Sequence, residues 1–230
     1  GIACSRISGA TLDQFAEQCP ADGRCKVSLE PILLVGAGGH ARACIDVIEQ
    51  EGRFVVAGLV GLSPEVGSRV LNYPVLGTDA DLPVLLDSYG NALIAVGQIE
   101  TPEPRVRLFD LLQHNGCALP VIISPHAYVS PHVKLDAGTI VMHGAVINAG
   151  AVVGKNCIIN SQSLLEHDVV IADHCHIATA ATINSGVCVG MGTFLGSNSS
   201  VRQCINIGER CLIGMGQQVL ADCEAGVCIP

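Results

Sequence analysis

The stretch Ile159-Asn160-Ser161-Gln162-Ser163-Leu164-Leu165-Glu166-His167-Asp168 sets a histidine directly before a carboxylate, with an asparagine seven residues upstream of the histidine. A neutral imidazole suits proton abstraction near pH 7, and a carboxylate on its other ring nitrogen fixes the tautomer. His167 and Asp168 are therefore candidates for a general base and its orienting partner, with Asn160 nearby. The alternative is a solvated histidine on a polar corner. A second pattern, Gly36-Ala37-Gly38-Gly39-His40-Ala41, fits G-x-G-x-x-G/A between a strand and a helix. There glycines let backbone amides approach a phosphate at a helix N-terminus, although a tight turn in any small α/β unit reads the same way. His40 either meets that phosphate or caps the helix. A dinucleotide site would place an acid at the end of the second strand, where this chain reads Leu59-Val60-Gly61-Leu62 and has no carboxylate before Glu65. That disfavours NAD and leaves a phosphate-bearing ligand.

His143, His167, His174 and His176 invite a zinc site shared between subunits, but they occupy several positions of the repeat described next. Arg202 and Arg210 are either ordinary surface charges or partners for the phosphates of a coenzyme.

The elements that must position these residues begin with Ile123 to Glu224, 102 residues that divide into 17 rows of six. The first column is Ile, Leu or Val in every row, from Ile123 to Val219, and the fifth is mostly small, as in Ala145, Ala151, Ser163 and Cys175. A period of six is neither helical nor a plain strand alternation, so each row must be a short strand plus a turn. Three rows close one coil of a triangular prism, with the aliphatic column pointing inward. Gly and Asn in the second column, such as Gly154, Asn160, Asn184 and Gly214, are expected to make the corners that need positive φ. Function must then sit in the remaining columns, where His167 faces outward.

Before the prism, PILLV, FVVAGLVG, YPVLG and ALIAVG read as strands, and RACIDVIEQ, DADLPVLLDSYG and PEPRVRLFDLLQHNG as helices. The alternation implies a small parallel sheet. The expected division is an extension or linker over residues 1–30, an α/β unit over 31–122 and a repeat domain over 123–230. TLDQFAEQC in the extension has the pattern of a short helix.

Composition narrows the function further. The chain has 230 residues, a net charge of −9 and only 3% aromatic residues, which suits a thin prism and argues against nucleic acid or an anionic membrane as the main partner. Four of its twelve cysteines (Cys157, Cys175, Cys211, Cys223) fall in the small fifth column, where they act as buried apolar groups rather than a disulfide frame. No C-x-x-C pair, signal-peptide core or long apolar run is present, so a reducing, cytoplasmic setting without membrane insertion is expected. A first residue of Gly rather than Met suggests a processed or excised piece.

GAGGHA after the first strand, the uninterrupted sixfold repeat, NSQSLLEHD and the ending GVCIP together resemble the NeuD/PglD-like bacterial sugar O- and N-acetyltransferases. The likeness covers about Pro31 to Pro230. It implies a Rossmann-like α/β domain followed by a left-handed parallel β-helix of hexapeptide repeats, assembled as a homotrimer with acetyl-CoA between neighbouring prisms. By the resemblance, His167 is the general base, Asp168 its partner, and Asn160 belongs to the same site. Gly36, Gly38, Gly39 and His40 lie at the nucleotide-sugar, and His176 lies at acetyl-CoA. Backbone amides near Asn184, Ser185 and Gly186, and near Gly214 to Gly216, would contact the thioester and pantetheine, and Arg202 would meet the coenzyme. No metal is implied. The family's Asp-Asp pair after the second strand is missing at Gly61-Leu62, and related chains often continue beyond the final turn.

The function this implies is direct acetyl transfer from acetyl-CoA to the amine of a nucleotide-linked sugar of the UDP- or dTDP-4-amino-4,6-dideoxy type, in glycan biosynthesis. A sialic-acid-type O-acetyltransferase is the nearest alternative. A zinc hydratase or hydrolase and a non-catalytic nucleotide-sugar-binding subunit are alternatives of other classes.

Overall fold

The structure, a computed structural model, describes residues 29–230. The helix expected at Thr11 to Cys19 lies outside the described residues. The chain first forms β1 (Glu30–Val35), α1 (Gly39–Glu51), β2 (Phe54–Val60), β3 (Arg69–Val70), β4 (Tyr73–Gly77), α2 (Leu82–Tyr89), β5 (Ala92–Ile94) and α3 (Glu103–His114). The sheet order is β3-β4-β2-β1-β5, with β1 parallel to both β2 and β5. Covered on both faces, β1 and β2 are nearly unbroken aliphatic runs, as buried parallel strands are. The short β3, which pairs antiparallel with β4, was not expected; two residues carry too little pattern to announce a strand.

From Ile122–Ile123 to Cys228–Ile229 the chain is a left-handed β-helix of two-residue strands on three parallel sheets. Each strand pairs with the one eighteen residues on, as in Val146 with Leu164 and Leu164 with Thr182. The first column points inward and is buried almost throughout, with Ala145, Ala151, Cys157, Ser163 and Cys175 of the fifth column beside it. The final coil closes early: Ile213 pairs with Ile229 and Ile207 bridges Cys223, so the last row is two residues short of the regular step.

The corners differ from the expectation. Positive φ falls in the fourth column, at Asn156, Gln162, Asp168, His174, Ala180, Asn198, Cys204 and Arg210. Glycines of the second column serve close approach instead. A Cβ on Gly190 would lie 2.5 Å from the backbone of Glu209, and one on Gly196 would lie 2.6 Å from that of Gly214. Successive coils therefore touch at that column, and only a missing side chain fits.

One prism face is covered by the α/β domain. Ile122, Ile140, Met142 and Ile158 share an apolar core with Ile45 and Ile48 of α1 and with Leu34 and Leu93 of the sheet. Arg105 of α3, fully buried, ties the two parts together: it donates to the carbonyls of Ile94 and Val96, and across the junction to Asn156 O at 3.0 Å and Oδ1 at 2.6 Å. His143 is a second tie. Its Nε2 lies 2.9 Å from Asp46 of α1, and its Nδ1 is 2.6 Å from the Ser124 hydroxyl.

Candidate active site

A cleft of about 430 Å³ opens at the carboxyl ends of the parallel strands, where the sheet order reverses between β1 and β5. This is where open α/β sheets bind ligands. Gly36, Gly38, Gly39 and His40 line it together. Gly36 has φ +124, and a Cβ there would sit 2.8 Å from Val96, so only glycine makes the turn. Gly38 and Gly39 have open space where side chains would be. The first turn of α1 has neither a side-chain cap nor an acidic residue, which leaves its N–H groups to an anion. Glu65 was set aside in the sequence as too far from β2, yet a short turn over Ser63–Glu65 returns its carboxylate to the cleft. The turn is held by the Leu62 N–H donating to Glu65 Oε2 at 2.7 Å. Ser63-Pro64-Glu65, with proline early in a turn and an acid at its third position, was the available signal.

His167 and Asp168 stand on a prism corner, exposed. His167 Nδ1 lies 2.9 Å from Asp168 Oδ2 and donates to it, so the Nε2 lone pair is free toward solvent. Asp168 has φ 61, one of the fourth-column left-handed residues, and this turns its side chain back beside His167. Directly beneath, a Cβ on Gly150 would come 2.4 Å from Asp168 Oδ1. The next coil stacks Ser185 and Gly186 on this corner, with Gly186 N–H donating to His167 O at 3.1 Å, and Arg202 belongs to the coil beyond. Among the described residues the Arg202 side chain donates only a long 3.4 Å bond, to Leu220 O.

Asn160 and His176 meet one another rather than His167: Asn160 Nδ2 is 3.2 Å from His176 Nε2. His176 is buried, its Nδ1–H donates to Gln98 O at 2.6 Å, and its ring sits edge-on to Phe194. Gln98 follows the cleft wall and also donates to His174 O and Gly192 O, so this group joins the cleft to the prism. Gly214 and Gly216 lie on the corner that carries Asn160, three coils further on, flanking the same outer face as the His167 corner. His174 is committed to Asn156 and Phe109. Among the described residues no three His, Cys, Asp or Glu side chains converge on a metal-sized point.

The profile of the PglD N-terminal domain matches residues 31–109. A variant of perosamine N-acetyltransferase from Caulobacter crescentus, solved with CoA and GDP-perosamine, is 31% identical over 87% of this chain and 93% of its own, with a TM-score of 0.82. This chain belongs to the hexapeptide-repeat sugar acetyltransferases. The acetyltransferase domain of PglB from Neisseria gonorrhoeae, solved with acetyl coenzyme A, is 26% identical over 87% of this chain and 95% of its own, with a TM-score of 0.77. WeeI from Acinetobacter baumannii, at 21% identity, 86% and 95% coverage and a TM-score of 0.77, shares the fold. None of the curated proteins compared matches the chain. No described helix of this acetyltransferase is long and apolar enough to cross a membrane.

Two features of the acetyltransferase site give measurable expectations. Burial, with Arg105 and His176 adding to it, lowers the His40 pKa to about 3; burial, with Arg105 adding, lowers that of His176 to about 4, against the opposing bond to Gln98. Both imidazoles stay neutral in the fold but take protons near pH 6.5 when unfolded. Stability from these groups is therefore complete above pH 6.5 and is lost as pH falls toward 4, by up to about 1.4 kcal/mol per pH unit for each. Thermal midpoints should hold from pH 8 to 7 and drop steeply from pH 6.5 to 5; a flat profile over that interval contradicts the burial of these rings.

In the second case, Gly150→Ala should push the Asp168 carboxylate off His167 while the prism stays folded, since only a side-chain tip is displaced. The left-handed backbone at Gly150 adds a strain of about 1 kcal/mol. Activity should fall about tenfold or more with little change in KM, and an unchanged kcat would show that the pair does not depend on this gap.

Proposed function

We propose that this acetyltransferase uses acetyl-CoA to acetylate the C4 amine of a nucleotide-linked amino sugar, with His167 as general base. The observation that carries this reading is the outward His167 whose Nδ1–H is committed to Asp168, leaving Nε2 as an acceptor for the proton of the attacking amine. Asp168 then stabilises the imidazolium formed as the amine attacks the thioester carbonyl, and as the C–S bond breaks the imidazolium gives its proton to the departing CoA thiolate. No serine or cysteine among the described residues hydrogen-bonds His167, which supports direct transfer without an acyl-enzyme. The Ser185 backbone N–H on this corner is the donor proposed for the carbonyl oxygen, since the Gly186 N–H is already given to His167 O; such an effect is often worth about 3 kcal/mol. Arg202 and the Gly214–Gly216 corner are proposed to hold the coenzyme, with Asn160 and His176 shaping the wall between the two substrates.

The glycine cleft takes the diphosphate on the α1 N-terminus, with His40 in its lining; among the described residues His40 Nε2 is buried and has no hydrogen-bond partner. GDP-perosamine and CoA in the Caulobacter enzyme support the pairing of a sugar nucleotide with the coenzyme. A homotrimer, with acetyl-CoA between neighbouring prisms, completes the reading. It is tested by offering acetyl-CoA with a panel of nucleotide-linked 4-amino and 4-hydroxy sugars and following CoA release. Turnover on amines alone supports it, turnover on hydroxyls makes the enzyme an O-acetyltransferase, and coenzyme binding without release on any sugar would leave a non-catalytic subunit.

A further inference from the structure

One end of the cleft carries a charge pattern that a diphosphate site does not need. At the ends of β2 and β4 it is lined by Leu62, Glu65 and Asp79, with Arg107 and Leu108 of α3 across from them. Glu65 is held in place: Oε2 accepts the Leu62 N–H, and the carboxylate rests against Gly61, where a Cβ would come 2.7 Å from Oε2. Its Oε1 makes no hydrogen bond among the described residues and so remains an acceptor. Arg107 holds Asp79 through Nη2 at 2.7 Å, and a guanidinium has further N–H groups to offer.

With the diphosphate on the α1 N-terminus, a nucleoside in a sheet wound this way lies toward the β2 side. The base then meets a fixed carboxylate and a guanidinium. We infer that this end of the cleft is a guanine site, so that the acceptor is a GDP-linked amino sugar; the inference rests on the reading that the cleft holds a sugar nucleotide. Guanine presents N1–H and the 2-amino group side by side, and a carboxylate accepts from both while a guanidinium serves O6. Glu65 Oε2 keeps a lone pair for this after taking the Leu62 N–H. Uracil and thymine offer a single N3–H between two carbonyl oxygens, one of which would face a carboxylate oxygen. Adenine offers an amine beside an unprotonated ring nitrogen. The uridine or thymidine nucleotide expected from the sequence is therefore the poorer match. A bidentate pair of this kind discriminates by about tenfold or more.

The test is calorimetric titration of the full chain with GDP, IDP, UDP, dTDP and ADP. GDP should bind about tenfold or more tightly than UDP, dTDP or ADP. IDP, which lacks only the 2-amino group, should bind about fivefold or more weakly than GDP. Glu65→Gln keeps an acceptor for the Leu62 N–H in its amide oxygen and turns an NH₂ group toward the base. The GDP preference should then shrink to about twofold or less, with the thermal midpoint unchanged. UDP or dTDP binding as tightly as GDP, IDP equal to GDP, or a Glu65→Gln variant that keeps the preference would overturn the inference. Transfer to amino sugars is read separately. Preferred acetylation of a UDP- or dTDP-linked sugar overturns the guanine site and leaves the acetyltransferase reading standing. GDP binding without transfer to any amino sugar does the reverse.

Discussion

His167→Ala should leave a folded protein with kcat reduced about a thousandfold, within the range general bases contribute. The imidazole is 60% exposed, and among the described residues its ring hydrogen-bonds only Asp168, so its removal opens no cavity and strands no buried group. The left-handed turn at Asp168 belongs to the backbone and should persist. Thermal midpoint and nucleotide affinity should match the parent, while kcat and kcat/KM fall together because the lost interaction is made only as the proton moves. Asp168→Ala should cost less, about tenfold to a hundredfold, since the base remains but its tautomer and direction are no longer held. Steady-state kinetics at saturating acetyl-CoA, with circular dichroism as the folding control, measure both. Near-normal turnover in His167→Ala would remove the base from the mechanism.

The corner that carries this pair was readable from the sequence because the repeat never slips. Once Leu165 is placed inward, His167 must point out and Asp168 must be its neighbour. The glycine turn was readable for a similar reason, since strand, turn and helix follow each other within a few residues. The left-handed column was not. Gln162, His174, Ala180 and Arg210 have no strong preference for positive φ; stacking between coils imposes it, and propensity is too weak to resist. The second-column glycines answer to a neighbour one coil away, beyond what a single row can display. His176 was placed at acetyl-CoA by resemblance, and its geometry depends on Gln98, 78 positions earlier in the chain. Glu65 was set aside because the three-residue turn that folds it back is not visible as an element in the sequence. His143, read only as a possible metal ligand, is pinned to Asp46 across the domain junction, a contact between residues 97 positions apart.

Arg105 shows the same limit and carries the largest stability effect. On an amphipathic helix an arginine reads as surface, yet this one is fully buried and, among the described residues, has no carboxylate partner, only the acceptors of Ile94, Val96 and Asn156. Burial lowers its pKa to about 10, so it stays charged at neutral pH. Arg105→Met keeps much of the apolar stem but leaves buried carbonyls unsatisfied, at about 1–3 kcal/mol each before relaxation. A total loss of about 3–5 kcal/mol, or about 10 °C in the thermal midpoint, is expected. Val96 lines the cleft, so nucleotide-sugar KM should rise more than kcat falls. The same charge helps hold His40 and His176 neutral. Removing it should ease their protonation, so the loss of stability between pH 6.5 and 5 should be shallower in Arg105→Met than in the parent, though the variant starts lower. A variant that is destabilised with an unchanged slope would mean that burial alone keeps the two imidazoles neutral.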